Sequence, residues 1–265
     1  MFELFQYDFM VRAFLAGTIV ALIAPSVGMF LVVRRYAYLA DTLAHVSLVG
    51  VAAALVSGTS PVWGAMIAAV VSAIGMEQLR AKRKILSDSI LAIFLSGSLA
   101  LAVVLVSAKG LPSANLFSYL FGSITTVTRV DLIIMSVLGA CILLFIFFFR
   151  RALFLVAFDE ELAAAEGTPS GVYNVLMVVL AALIVAMAIR IVGALLIGAL
   201  IVMPVISAIQ WKKDFRTTMA IAVCFSLFSV YAGLYLSFIL NLASGGTIVL
   251  LALCLFILSV IGKKK

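Results

Sequence analysis

The sequence predicts an all-α polytopic membrane protein: a transmembrane bundle of eight or nine helices forming a single transmembrane domain over residues 1–265. Three observations carry this. Hydrophobic residues make up 66% of the chain and charged residues 11%, with a mean hydropathy of +1.33, which leaves too little polar surface for a water-soluble protein of this size. The charges are clustered, so that residues 13–33, 89–108, 132–149, 167–189, 191–211 and 217–262 contain no Asp, Glu, Lys or Arg. A helix needs roughly 20 apolar residues to cross the hydrocarbon, so the longest runs hold two crossings, separated by aqueous loops.

The elements follow in order. The first span, 13–33, carries Ala24-Pro25-Ser26-Val27-Gly28 at mid-length, where proline should kink it. The second, 36–57, begins beyond Arg34-Arg35 and stops at Gly58-Thr59-Ser60, and Pro61 opens the third, 61–79. Asp88 and Lys109 bound the fourth, 88–108, and Asp131 and Arg150 the fifth, 131–149. The pair 171–189 and 191–209 is divided only by Arg190, with no loop, so either both span, giving nine, or one is a broken or re-entrant helix, giving eight. Within the second, Gly193 to Gly198 and Pro204 combine small residues for close packing with a proline break. Asn241 to Gly246 split the last pair, 217–240 and 246–261.

Nine alternating spans place 14 of the 18 Lys and Arg residues on one side, from Arg34-Arg35 to Lys263-Lys264-Lys265, and leave Arg12, Lys109, Arg129 and Arg190 on the other. Short loops rich in Lys and Arg face the cytoplasm, so the N-terminus is expected outside and the C-terminus inside. The net charge of +7 is explained by those loops and implies contact with membrane lipid, not nucleic acid. Glu3 and Asp8 precede an apolar run long enough to span, which reads as a first span and not a cleaved signal. Cys141, Cys224 and Cys254 stand alone within apolar spans and are expected as small buried hydrophobes.

In so apolar a chain the ionisable groups at depth carry the chemistry. Asp41 and His45 lie six and ten residues beyond Arg35, roughly 9 and 15 Å along a helix, and their i, i+4 spacing puts them on one face. A structural pair holding two helices together is one reading. A polar pathway is the better one, because Ser or Thr would join helices at lower cost. Carboxylate oxygen and imidazole nitrogen suit a borderline divalent cation such as zinc or manganese. One chain supplies half a tetrahedral set, and a two-fold dimer around a central pore would complete it.

The stretch Phe158 to Gly167 has four acids within eight residues, Asp159, Glu160, Glu161 and Glu166, on the side otherwise rich in Lys and Arg. Asp159 can cap a short helix and Gly167 can end it, giving either a solvated loop helix or a docking helix for a cytoplasmic partner. No G-x-x-x-x-G-K-[ST] phosphate loop occurs, so energy for active transport has to come from another subunit or an ion gradient.

On these residues the chain resembles the permease subunits of the bacterial ABC importers for zinc, manganese or iron, the ABC-3 permeases. The resemblance runs end to end. Its strongest element is Arg34-Arg35-x-x-x-x-x-Asp41-Thr42-Leu43-Ala44-His45-x-x-Leu48-x-Gly50-Val51-Ala52. Next come Leu120-Phe121-Gly122-Ser123, the Phe158-Asp159-x-Glu161-x-Ala163-x-x-x-Gly167 loop, and Val192-Gly193-Ala194-Leu195-Leu196 leading to Pro204. The resemblance implies a bacterial plasma-membrane protein that acts with a second copy of itself, two cytoplasmic ATP-binding subunits and an extracytoplasmic metal-binding lipoprotein. It implies that Asp41 and His45 line the path and coordinate the metal. It also implies that 159–167 is the coupling helix, with Phe158, Asp159, Glu161, Ala163 and Gly167 meeting the ATPase. On that reading the chain is not itself an enzyme, has no cofactor, and carries Zn2+ or alternatively Mn2+ as cargo.

Zinc members of the family read Ser-Leu-x-Gly-Val-Ala after the histidine, whereas manganese members tend to have proline before that glycine. Val49 stands there in this chain, which favours zinc, as does the opening Phe5-Gln-Tyr-Asp8. Glu166 departs from the small or aliphatic residue that many relatives have. The competing expectations are a manganese importer of the same family and a gradient-driven secondary transporter or channel. An intramembrane enzyme is disfavoured, because no second acid or nucleophile lies at comparable depth and catalytic metals need three protein ligands.

Overall fold

The computed structural model describes residues 7–82, 87–110, 118–122 and 127–262. Glu3, Phe5, Arg83, Lys84, Ser123 and Lys263 to Lys265, which enter the patterns above, lie outside the described residues. Among the described residues the longer helices follow in order: α1 Asp8–Val33, α2 Ala37–Ser57, α3 Pro61–Ala81, α4 Ser87–Ala108, α5 Arg129–Phe158, α6 Glu160–Ala165, α7 Ser170–Ala188, α8 Ile197–Ile209, α9 Phe215–Leu240 and α10 Ser244–Gly262. Eight of them are long and apolar enough to span a membrane; α6 and α8 are not.

The expected punctuation sits where turn chemistry requires it. Gly58 caps α2 in the left-handed region, with φ +68°, and Pro61 opens α3 at a first-turn position where its missing N–H costs nothing. Asn241 ends α9 in the same left-handed conformation. Between α1 and α2 the chain turns within three residues, and Arg35 takes a positive φ of 62°. Pro25 and Pro204 lie inside α1 and α8.

The predicted span 191–209 is corrected. Residues 190–196 are turn, and only 197–209 are helical. At 13 residues, α8 is about 20 Å long, short of the roughly 30 Å hydrocarbon. The count is therefore eight full-length helices and one short one, among the described residues.

Helices α1 and α2 form the buried centre, and α4, α5 and α10 form the outside. One group packs α2 with α3, α4 and α7; the other packs α1 with α5, α8 and α9, with α10 behind α8 and α9. Apolar surfaces gain nothing from each other in lipid, so close van der Waals approach has to join them. Gly50 and Gly64 provide it: a Cβ on either would collide with the backbone carbonyl of the other. The three cysteines are exposed and unbonded on outward-facing surfaces, contrary to expectation. Those surfaces are apolar membrane faces, where a small thiol is as well accommodated as in a core.

Gly50→Ala is expected to destabilise the bundle by about 1–3 kcal/mol through overpacking, seen as a lower thermal unfolding midpoint of the detergent-solubilised chain. Gly75→Ala on α3, where an added Cβ meets nothing within 4 Å, should leave that midpoint unchanged or raised.

Candidate functional site

Helix α2 is encased along most of its surface, and what it leaves partly uncovered includes a strip at helical spacing: Asp41, His45, Val49 and Ala53. The i, i+4 geometry expected from sequence is therefore present, but the hydrogen-bonded pair is not. Neither the Asp41 carboxylate nor the His45 imidazole makes a hydrogen bond among the described residues, and His45 Nδ1 is buried without a partner. The reading of these residues as a self-satisfied structural pair loses its support.

The Asp41 carboxylate instead lies against the first turn of α8. It fits because residue 198 is glycine: a Cβ at Gly198 would occupy the position of Asp41 Oδ1. The N-terminus of a helix carries the positive end of its dipole, and the carboxylate is seated beside it without accepting a hydrogen bond from α8 among the described residues. Sequence patterns marked Gly193 to Gly198 only as a packing segment. Its contact with Asp41 depends on where α8 begins.

That starting point is fixed by the turn before it. Gly122 and Gly193 both have positive φ, 75° and 90°, and a Cβ on either would strike the other's backbone. Ala194 N–H donates to Tyr119 O at 2.9 Å and Leu195 N–H to Leu120 O at 3.1 Å. Two of the motifs quoted above, 120–122 and 192–196, thus dock backbone to backbone. Arg190 pairs with Asp131, whose carboxylate also closes a capping box with Thr128 at the start of α5, and lies over the Tyr119 ring.

At the opposite end, α6 forms as its sequence predicts. Asp159 Oδ1 accepts from Glu161 N–H at 3.0 Å and Leu162 N–H at 2.9 Å. Gly167, at φ +78°, ends the helix in a Schellman arrangement, with Thr168 N–H on Ala163 O at 2.9 Å and Gly167 N–H on Ala164 O at 3.1 Å. Phe158, Asp159, Glu161 and Gly167 are exposed, whereas Ala163 is fully buried against the bundle. In this conformation Ala163 seats the helix and has no face to offer a partner.

Glu160 turns inward, a role that composition did not reveal. Its carboxylate accepts from Arg34 Nη2 at 2.9 Å and from Asn174 Nδ2 at 2.6 Å, and Arg80 Nη2 lies 3.8 Å away. Arg34 also donates to Asn174 Oδ1, and Arg80 holds the buried Glu77 at 2.9 and 2.6 Å. The guanidiniums of Arg34 and Arg80 flank the Tyr36 ring at 5.1 and 5.7 Å. This network ties α6 to the ends of α1 and α3 and to Tyr36 at the start of α2, five residues before Asp41.

Among the described residues no three His, Cys, Asp or Glu side chains cluster as a metal site. Asp41 and His45 together offer two ligands.

The profile of the ABC 3 transport family matches residues 6–263. A "Probable metal transport system membrane protein" of Treponema pallidum is 40% identical over 96% of this chain and 95% of its own length. The "Manganese transport system membrane protein MntC" of Halalkalibacterium halodurans is 31% identical, covering 97% and 88%. The "High-affinity zinc uptake system membrane protein ZnuB" of Haemophilus influenzae is 29% identical, covering 98% and 100%. Among solved structures, "PsaBC from Streptococcus pneumoniae in complex with Fab" superposes with a TM-score of 0.87 at 31% identity, over 97% of this chain and 92% of that one.

The network makes a prediction of its own. Glu160→Gln should loosen α6 from its seat, raising amide hydrogen exchange across 160–166 by about tenfold or more, since a charge-assisted contact of this kind contributes ~1.5–3 kcal/mol. Exchange within α9 should not change.

Proposed function

Because this chain belongs to the ABC 3 transport family, as the membrane component of a metal importer in the bacterial plasma membrane, we propose that it carries zinc between two copies of itself, past Asp41 and His45. One observation supports the path above all: two ionisable side chains at depth, without hydrogen-bond partners, on a partly uncovered strip of an otherwise encased helix. A second copy across that strip would bring the ligands to two carboxylates and two imidazoles, the tetrahedral N and O set that zinc accepts. Transient ligation suits a carrier, since an ion held too well does not leave.

Relatives for both metals stand at similar identity, so the choice of zinc rests on Val49. In the unbroken helix α2 its N–H bonds the His45 carbonyl. Proline there would remove that bond and free a carbonyl oxygen beside the imidazole, a harder ligand set that favours manganese.

ATP is hydrolysed by separate subunits that engage the exposed Phe158 at the end of α5 and the exposed Glu161 and neighbouring Leu162 of α6, while Asp159 and Gly167 hold the shape of that helix. The α6 end of the bundle faces the cytoplasm and the N-terminus faces outward, where a metal-binding lipoprotein delivers the ion. This orientation follows the grouping of Arg34, Arg80, Arg150, Arg151 and Arg216 at one end. Movement of α6 reaches the path through Glu160, which pulls on Arg34 and Arg80 at the foot of α2. Gly198 keeps the Asp41 carboxylate on the positive end of α8.

In the assembled importer, Asp41→Ala and His45→Ala are each expected to reduce zinc uptake at least tenfold with ATP hydrolysis retained. Gly198→Ala should do the same by displacing the carboxylate. Wild-type uptake in all three, or uptake that survives removal of the ATPase, would sink the pathway assignment. Val49→Pro is expected to move metal competition toward manganese. An unchanged zinc-to-manganese ratio in that variant would overturn the selectivity argument while leaving the path intact.

A further inference from the structure

Where α5 ends and α9 begins there is a cavity of about 400 Å³ that the transport path does not use. Arg150 and Arg151 on α5 and Arg216 in the first turn of α9 form its polar part, and Phe147, Phe154 and Phe215 are among its apolar walls. No carboxylate lines it. Among the described residues none of the three guanidiniums has an acidic partner. The acid nearest Arg216 in the chain, Asp214, is occupied in capping α9, accepting from Thr217 Oγ1 at 2.6 Å and Thr217 N–H at 3.2 Å.

The depth of this cavity follows from α5. Arg129 and Arg150 are 21 residues apart on one continuous helix, about 32 Å, which is one hydrocarbon thickness. Arg129 pairs with Asp8 at one end of the bundle, at 3.6 Å, so Arg150 and Arg151 reach the opposite interface, at the level of lipid phosphates. Phe147 and Phe148, just below, are exposed on the membrane face. Arginines at such a level ordinarily reach individually toward water. Here three converge from two helices on one cavity whose other side is aromatic: Arg150 stands 5.5 Å over the Phe147 ring, and Phe154 meets Phe215 edge-on at 4.8 Å.

We propose that this cavity is a binding site for one anionic phospholipid, with the phosphate diester between Arg150, Arg151 and Arg216 and the upper acyl chain against Phe147, Phe154 and Phe215. Unpaired cations beside apolar walls at the headgroup boundary match a molecule that is anionic at one end and apolar at the other. A free phosphate would leave the aromatic side unfilled. The inference does not depend on which metal is carried.

The test titrates the full-length chain in detergent micelles with phosphatidylglycerol, phosphatidylcholine and inorganic phosphate, counting retained lipid by native mass spectrometry and following the thermal unfolding midpoint. One phosphatidylglycerol per chain should be retained, with a raised midpoint, and phosphatidylcholine should not be. Arg216→Gln and the double variant R150Q/R151Q should weaken retention roughly fivefold per arginine removed, the equivalent of about 1 kcal/mol per cation at a membrane surface. Arg216→Lys and Lys213→Gln should retain the lipid, the first because the charge remains and the second because Lys213 does not line the cavity. Helix content and monodispersity of each variant separate lost binding from lost folding. Equal retention of phosphatidylcholine, equal weakening by Lys213→Gln, or the full midpoint shift from inorganic phosphate overturns the proposal. So do glutamine variants that keep the lipid but release the ATP-hydrolysing partner, which would make the cavity a protein contact.

Discussion

A charge withdrawn from water into hydrocarbon or a packed helix bundle costs several kcal/mol unless a partner meets it, and the arrangement of this chain follows from how it meets that cost. Glu77 is held by Arg80, Asp131 by Arg190, and Arg34 by Glu160 and Asn174. The Asp131–Arg190 and Arg34–Glu160 pairs join elements far apart in sequence, so the pairing that makes those charges tolerable also fixes how the helices meet, whereas Glu77 and Arg80 pair within α3. Asp41 and His45 stand outside this scheme. Their positions are set by packing around α2, and the carboxylate lies beside the first turn of α8 with no countercharge or hydrogen bond among the described residues.

That helix end exists because α8 is short. A continuous helix over 191–209 would have no free N–H groups at the depth of Asp41, and its backbone would be satisfied internally. The turn at 190–196 interrupts it, and the turn is tolerated in an apolar bundle because the N–H groups of Ala194 and Leu195 are met by Tyr119 and Leu120 and those of Ile191 and Val192 by Ala188. Gly122 and Gly193 make that meeting possible, since both take backbone conformations costly for other residues and neither leaves room for a side chain on the other. Irregular backbone at membrane depth is permitted where it is buried in protein, and this is such a place.

The two ends of the bundle are built differently. The end with Gly122 and Gly193 is locked by backbone hydrogen bonds and the Arg190–Asp131 pair. The other end is joined through long side chains, Arg34, Arg80 and Glu160, that can hold contact while α6 shifts. A short helix with both termini capped, by Asp159 and by Gly167, keeps its own shape. Its connection to the foot of α2 passes through the fewest residues available, since Arg34 precedes Ala37 by three.

Much of this was legible in the sequence. Pro61, Gly58 and Asn241 mark helix ends through backbone preferences that act locally, and Asp159 and Gly167 cap α6 for the same reason. Asp41 and His45 declared themselves because ionisable groups are rare in an apolar run, and helical spacing then placed them on one face. The inward turn of Glu160, the burial of Ala163, the outward position of the three cysteines and the contact of Gly198 with Asp41 were not legible, because each depends on which face of an element its neighbours cover. Apolar residues on all sides of a membrane helix erase the amphipathic signal that would reveal that face. The sequence by itself determined most of the spans, the residues that punctuate their ends, and which ionisable side chains lie within an apolar run. Only the tertiary structure decided where α8 begins, and with it that the carboxylate of Asp41 rests on a helix terminus while the imidazole of His45 has no hydrogen-bond partner.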